Sequence, residues 1–177
     1  FWSATQSSSN DADCRCLEYH RASVINDIGS KESGYSVRCV RNEEGSGSEG
    51  SGDNEGGDDN PDDNDTTITA QACPGVPTVT DVDGNVYNTV QIGDQCWMRE
   101  NLKTTKYANG TTIPLGTTTS YDVAYRYYPN DNSANVSDYG YLYNWPAVMN
   151  GFASSEANPS GVQGICPDGW HVPSDAE

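Results

Sequence analysis

The run TVTDVDGNVYNTVQIGDQCWMRENLKTTKY (78–107) decides how the chain is read, because turn residues and alternating apolar positions fall in register within it. Thr78–Thr80 and Val86–Ile92 read as two strands around the turn Asp81-Val82-Asp83-Gly84-Asn85. Gly93-Asp94 marks a second turn before an extended run over residues 95–102. Asp81, Asp83 and Asn85 superficially match a calcium loop. Such a loop needs a Glu at its twelfth position, and counting from Asp81 that position is Ile92. A strand-joining turn is the better account.

Outward from this hairpin the chain is uneven. Only 34% of its 177 residues are apolar; two Phe and two Met leave eleven Tyr and four Trp to supply bulk. Those rings can bury a face while keeping a polar tip wet, which suits a small core with wide loops. Residues 109–134 are polar and read as loop with short strands, residues 139–149 form the densest aromatic patch, and residues 153–163 are again loop. Toward the N-terminus, residues 15–19 and 35–40 read as strands. In the second, Tyr35, Val37 and Cys39 alternate with Ser36 and Arg38. Forty-two residues this poor in apolar groups would not make a domain alone and must pack on something else.

Between these parts lies EEGSGSEGSGDNEGGDDNPDDND (43–65), without one aromatic or aliphatic side chain. It reads as a linker, since it cannot bury enough surface to offset its ordering entropy. It holds ten of the 26 acidic residues behind the net charge of −17. The remainder still carries 16 acidic against 9 basic residues. Neither balance suits nucleic acid. No run approaches the roughly 20 apolar residues of a membrane helix.

Six cysteines, Cys14, Cys16, Cys39, Cys73, Cys96 and Cys166, include no CxxC pair. The expectation is disulfides in an oxidising compartment, with connectivity open, and neither a metal site nor a cofactor. Cys14 and Cys16 would share one face of a strand and staple to other segments. His171, Ser174 and Asp175 crowd one turn without the convergence a catalytic triad needs. Ser174 and Glu177, three apart, are instead a capping box announcing a helix at which the chain stops. No catalytic residue is assigned.

The runs at 78–107, YGYLYNWPAVMNG (139–151) and GICPDGWHVPSDAE (164–177) resemble, in that order, the first half of the Fibrobacter succinogenes major paralogous domain of exported bacterial proteins. FWSATQSSSNDADCRCLEYH (1–20) and GYSVRCVRN (34–42) resemble its C-terminal end. The resemblance implies the C-terminal segment of one family domain (1–42), an acidic linker (43–72) and the N-terminal part of another (73–177). The GWHVPSDAE run is also similar to the helix entrance of C-type-lectin-like folds of the formylglycine-generating-enzyme type. The implied fold is α+β and β-rich, with a small sheet, long loops and an incomplete domain. The reactive cysteine pair of those enzymes has no counterpart motif here, so that activity does not transfer.

The expected function is a non-catalytic binding or adhesion module, extracellular or at the cell surface, with a glycan or surface protein as ligand. The alternative is a subunit of an extracellular filament, in which tail and head segments of adjacent copies or neighbouring family domains complete one fold. Aromatic rings amid Ser, Asn and Gly make adaptable recognition surfaces. Tyr125, Tyr127 and Tyr128 are expected to be exposed and, with Trp145, to bind ligand. Tyr141, Tyr143 and Trp145 alternate and are also expected to turn toward the core.

Overall fold

A computed structural model describes residues 1–17, 24–42 and 71–177. Most of the acidic tract and the end of the run at 15–19 fall outside the described residues. The first sheet is a meander of three strands, β1 (Trp2–Gln6), β2 (Asp11–Leu17) and β3 (Val24–Ser30), in the order β1-β2-β3. Neither β1 nor β3 stands out in the sequence, since WSATQ and VINDIGS lack a clean apolar alternation. Their packing explains them. Trp2 and Ala4 are fully buried in the core, and Gly29 of β3 lies under the Trp2 and Tyr35 rings. A Cβ at Gly29 would sit 2.9 Å from Tyr35 Cε2, so only glycine permits that approach.

The second sheet joins distant parts of the chain. Its strands are β4 (Val40–Arg41), β5 (Thr78–Thr80), β6 (Val86–Ile92), β7 (Gln95–Met98) and, much later in the chain, β10 (Trp170–His171), in the order β10-β4-β7-β6-β5. Strands β5, β6 and β7 form where hydrophobic alternation and turn residues place them. In β6, Tyr87 and Thr89 are buried while Val86 and Asn88 face out. Ile92 pairs with Gln95 across a two-residue turn that opens with Gly93 at φ +59°. The Asp81–Asn85 turn is closed by Asp81, which accepts hydrogen bonds from Asp83 N, Asn85 N, Asn85 Nδ2 and the Tyr87 hydroxyl.

Residues 35–40 are extended, but not as one regular strand. Tyr35 makes an isolated bridge to Tyr143, Val37 O accepts from Leu102 N, and Cys39 O accepts from Met98 N. Only Val40 and Arg41 enter a sheet, between Trp97 on one side and Trp170–His171 on the other. The run contacts three different neighbours in turn, so its alternation survives as burial of Val37 and Cys39 without a continuous ladder.

Strand β8 (Arg126–Tyr127) pairs with β9 (Leu142–Tyr143), and two short helices, α1 (Val136–Tyr139) and α2 (Trp145–Met149), flank β9. The architecture is α+β and strongly β-rich. One core runs beneath both larger sheets, with Trp2, Cys14 and Val37 packed among Tyr87, Met98, Leu102, Tyr143, Val148 and Trp170. The residues before position 43 are thus bound into those after position 70. Trp2 Nε1 donates to Tyr143 O at 2.8 Å, and Ala4 N donates to Pro173 O at 2.7 Å.

Two disulfides form, Cys39–Cys166 and Cys73–Cys96. Cys14 and Cys16 are not stapled to another segment, contrary to expectation; both are free thiols. Their strand lies between β1 and β3, and neither strand carries a cysteine to meet them.

Candidate functional site

Asn144 organises the site. It caps α2, its side-chain oxygen accepting from Ala147 N, and Pro146 suits the first helical turn. The same buried amide accepts from Tyr125 N at 2.8 Å and donates to Ser120 O at 3.0 Å and Val123 O at 2.8 Å. One residue thus starts the helix and pins the 120–125 loop beside it. At the other end, Asn150 adopts a left-handed conformation (φ +49°) and Gly151 follows at φ +80°. That turn ends α2 and brings Phe152 back alongside it.

The result is a cleft of about 340 Å³ between the 120–125 loop, α2 and the first sheet. Its aromatic walls are Tyr121, Trp145 and Phe152, with Met149 and Pro146 at the base and Asp122, Ser9 and Lys31 supplying polar atoms. Tyr121 and Phe152 are 42% and 45% exposed, and the Tyr121 hydroxyl accepts from Ser30 Oγ and donates to Glu32 Oε1. Trp145 is half-buried and fixed: its Nε1 donates to Ser3 O, and Lys31 Nζ lies 4.5 Å from the ring centre. Lys31 is itself buried, donating to Gln6 Oε1, Ser8 O and Ser9 O at 2.8–2.9 Å. Burial pulls the Lys31 ammonium below its ordinary pKa, against the opposing pull of Asp11. The tryptophan is therefore held as a rigid platform before any ligand arrives.

Of the four aromatic residues expected to bind ligand, only Trp145 lines this cleft. Tyr125, Tyr127 and Tyr128 are half-buried rather than exposed. Tyr127 packs down onto Gly34 and Gly116, where a Cβ would stand 3.0 and 2.4 Å from its ring. Tyr125 leans on Tyr127 at 6.3 Å between centroids, and Tyr128 on Tyr141 at 5.8 Å. Gly34 lies far from Tyr127 in sequence, which hides that ring's burial from a linear reading. Tyr143 is fully buried, with Tyr141 and Trp145 packed against the core, though Trp145 reaches it from a helix. Phe152 and Lys31 were not legible as site residues. The Asn150-Gly151 helix stop is the one local signal that could have placed Phe152.

A second concavity, about 380 Å³, lies under Trp97, Val90, Ile92 and Phe1. Next to it His171 bridges two segments of the chain. Nδ1 of His171 is 2.7 Å from Asn42 Oδ1, and Nε2 is 2.8 Å from Glu177 Oε1. Glu177 also accepts from Ser174 N and Ser160 N, both at 2.9 Å, while Ser174 Oγ accepts from Ala176 N. The capping box is closed, and Asp175 pairs with Arg15 of β2. Among these groups the nucleophile is the cap and the imidazole is a tie between segments.

Residues 90–177 match the family model of the Fibrobacter succinogenes major domain. The chain belongs to that family. The matched stretch of this Fibrobacter succinogenes major domain runs from within β6 through β10. It contains Tyr121, Trp145 and Phe152, whereas Lys31 and Ser9 lie before the match. No curated protein and no solved structure matches the chain. Among the described residues, no helix is long and apolar enough to cross a membrane.

Proposed function

We propose that the protein is a non-catalytic binding module of the cell exterior whose ligand, a glycan or a glycosylated surface protein, stacks in the Trp145 cleft. One observation carries this reading: Tyr121, Trp145 and Phe152 converge on one cleft, and the central ring is locked by Lys31 and Ser3. Rigid aromatic faces bordered by short polar groups bind sugar rings with little loss of side-chain freedom. The two disulfides suit an oxidising compartment. The C-type-lectin-like, formylglycine-generating-enzyme-like architecture belongs to the same proposal, resting on the GWHVPSDAE run, where β10 leads into the Ser174 cap.

A glycan array tests it. Saturable binding to a defined glycan class is expected, falling at least tenfold in Phe152→Ala, whose ring is 45% exposed. No binding across a broad array, or binding indifferent to both Phe152→Ala and Tyr121→Ala, would overturn the reading.

The filament alternative is favoured by a different observation. Strand β4 enters the middle of the five-stranded sheet from a segment remote in sequence, and the same contacts could be made by β4 of a neighbouring copy. A discrete monomer at every concentration by native mass spectrometry would sink it.

A further inference from the structure

The two free thiols lie side by side. Cys14 and Cys16 point to one face of β2, and the β2–β3 register sets Asp27 directly opposite Cys14. One ligand atom from each of the three residues lies within 4.8 Å of the others. Cys16 Sγ already approaches Asp27 Oδ2 at 3.9 Å. Cys14 is fully buried, Cys16 half-buried and Asp27 exposed, so the group is anchored on the core side and open to solvent on the other.

Two thiols in a protein that otherwise bridges its cysteines call for a reason. They cannot readily bridge each other. Residues two apart in a strand stand about 6.7 Å apart, with parallel Cβ bonds, at the far limit of disulfide geometry. Closing the bond would pull β2 out of its ladder with β3. A metal ion asks for less. Thiolate–zinc and carboxylate–zinc bonds of about 2.3 and 2.0–2.2 Å need ligand atoms roughly 3.5–3.8 Å apart, within reach of small side-chain rotations.

We propose that Cys14, Cys16 and Asp27 bind one Zn²⁺, or a similarly thiophilic cation, with water in the fourth position. Calcium and magnesium are disfavoured, because they take oxygen ligands. On binding, both thiols lose their protons to solvent, and the two thiolates and one carboxylate surround the dication and leave the site with one net negative charge. Burial pushes the Cys14 thiol up to about 11, so binding has to displace that proton. The site is independent of the Trp145 cleft, so glycan binding and metal binding can fail separately.

The test is titration of the full chain, disulfides intact and metal removed, with CoCl₂ as spectroscopic probe. One Co²⁺ per chain is expected, with thiolate-to-cobalt charge-transfer absorption in the near ultraviolet that disappears on adding one equivalent of Zn²⁺. Cys16→Ser should abolish the band. Asp27→Asn, at an exposed position that leaves the fold intact, should weaken Co²⁺ binding about tenfold or more. Co²⁺ uptake without the band, as the acidic tract alone would give, overturns the proposal. So does a band that survives Cys16→Ser, or a thiol assay finding Cys14 and Cys16 already oxidised in the purified protein.

Discussion

Around the five-stranded sheet, Cys39 is bridged to Cys166 and Cys73 to Cys96, while the three-stranded sheet keeps Cys14 and Cys16 as free thiols. The two sheets also differ in how far their strands travel to meet. In the meander β1-β2-β3, each strand pairs with its neighbour in sequence. In the larger sheet, Val40 must find Trp97 on one side and His171 on the other. Closing long loops costs more chain entropy than folding back a hairpin. The Cys39–Cys166 tie therefore falls where the pairing is remote, Cys73–Cys96 staples the β5-β6-β7 hairpins, and the three-stranded sheet does without either.

This contrast can be broken by experiment. Replacing both cysteines of the Cys39–Cys166 bridge with Ala releases a loop of 127 residues and should cost about 5 kcal/mol by the chain-entropy relation, read from denaturant unfolding. The same change at Cys73–Cys96, separated by 23 residues, should cost about 3 kcal/mol. Equal losses, or a larger loss at the shorter loop, would show that loop length is not what distinguishes the two.

A third, smaller effect follows from Glu177. Burial alone would raise its carboxyl pKa, but hydrogen bonds from His171, Ser174 N and Ser160 N outweigh burial and hold it below the ordinary value. A carboxyl held low when folded stabilises the fold above its unfolded pKa, and that stabilisation is lost as pH falls through the lowered folded value. Acidification below about pH 4.3 should therefore cost the native protein more stability than Glu177→Gln. Identical acid unfolding curves would refute a role for this carboxylate in tying Asn42 and His171 together. The smallest change belongs to the local sheet. In metal-free protein, Cys16→Ser should shift stability by no more than about 0.5 kcal/mol, because no bridge is lost.

The same contrast explains what the sequence made legible. Strands β5, β6 and β7 are local hairpins marked by alternation and by Gly84 and Gly93, and they form where those signals lie. Strands β1 and β3 escaped because Trp2 and Gly29 are set by contacts with Tyr35 and Tyr143, and Ala4 by Pro173 and Ser155, not by any period along the chain. At the cleft, Trp145 was visible as an aromatic residue amid small polar ones. Its Lys31 clamp comes from more than a hundred residues earlier and carries no local signature. Likewise, Cys14 and Cys16 announce themselves, but Asp27 joins them only through the register of β2 on β3.

The placing of β4 has a consequence in time. During synthesis, Val40 and Arg41 leave the ribosome long before Trp170 and His171, their partners on one flank. At typical elongation rates of about 5–20 residues per second, that delay is on the order of ten seconds. For that interval the first segment lacks its β10 neighbour and the disulfide partner of Cys39.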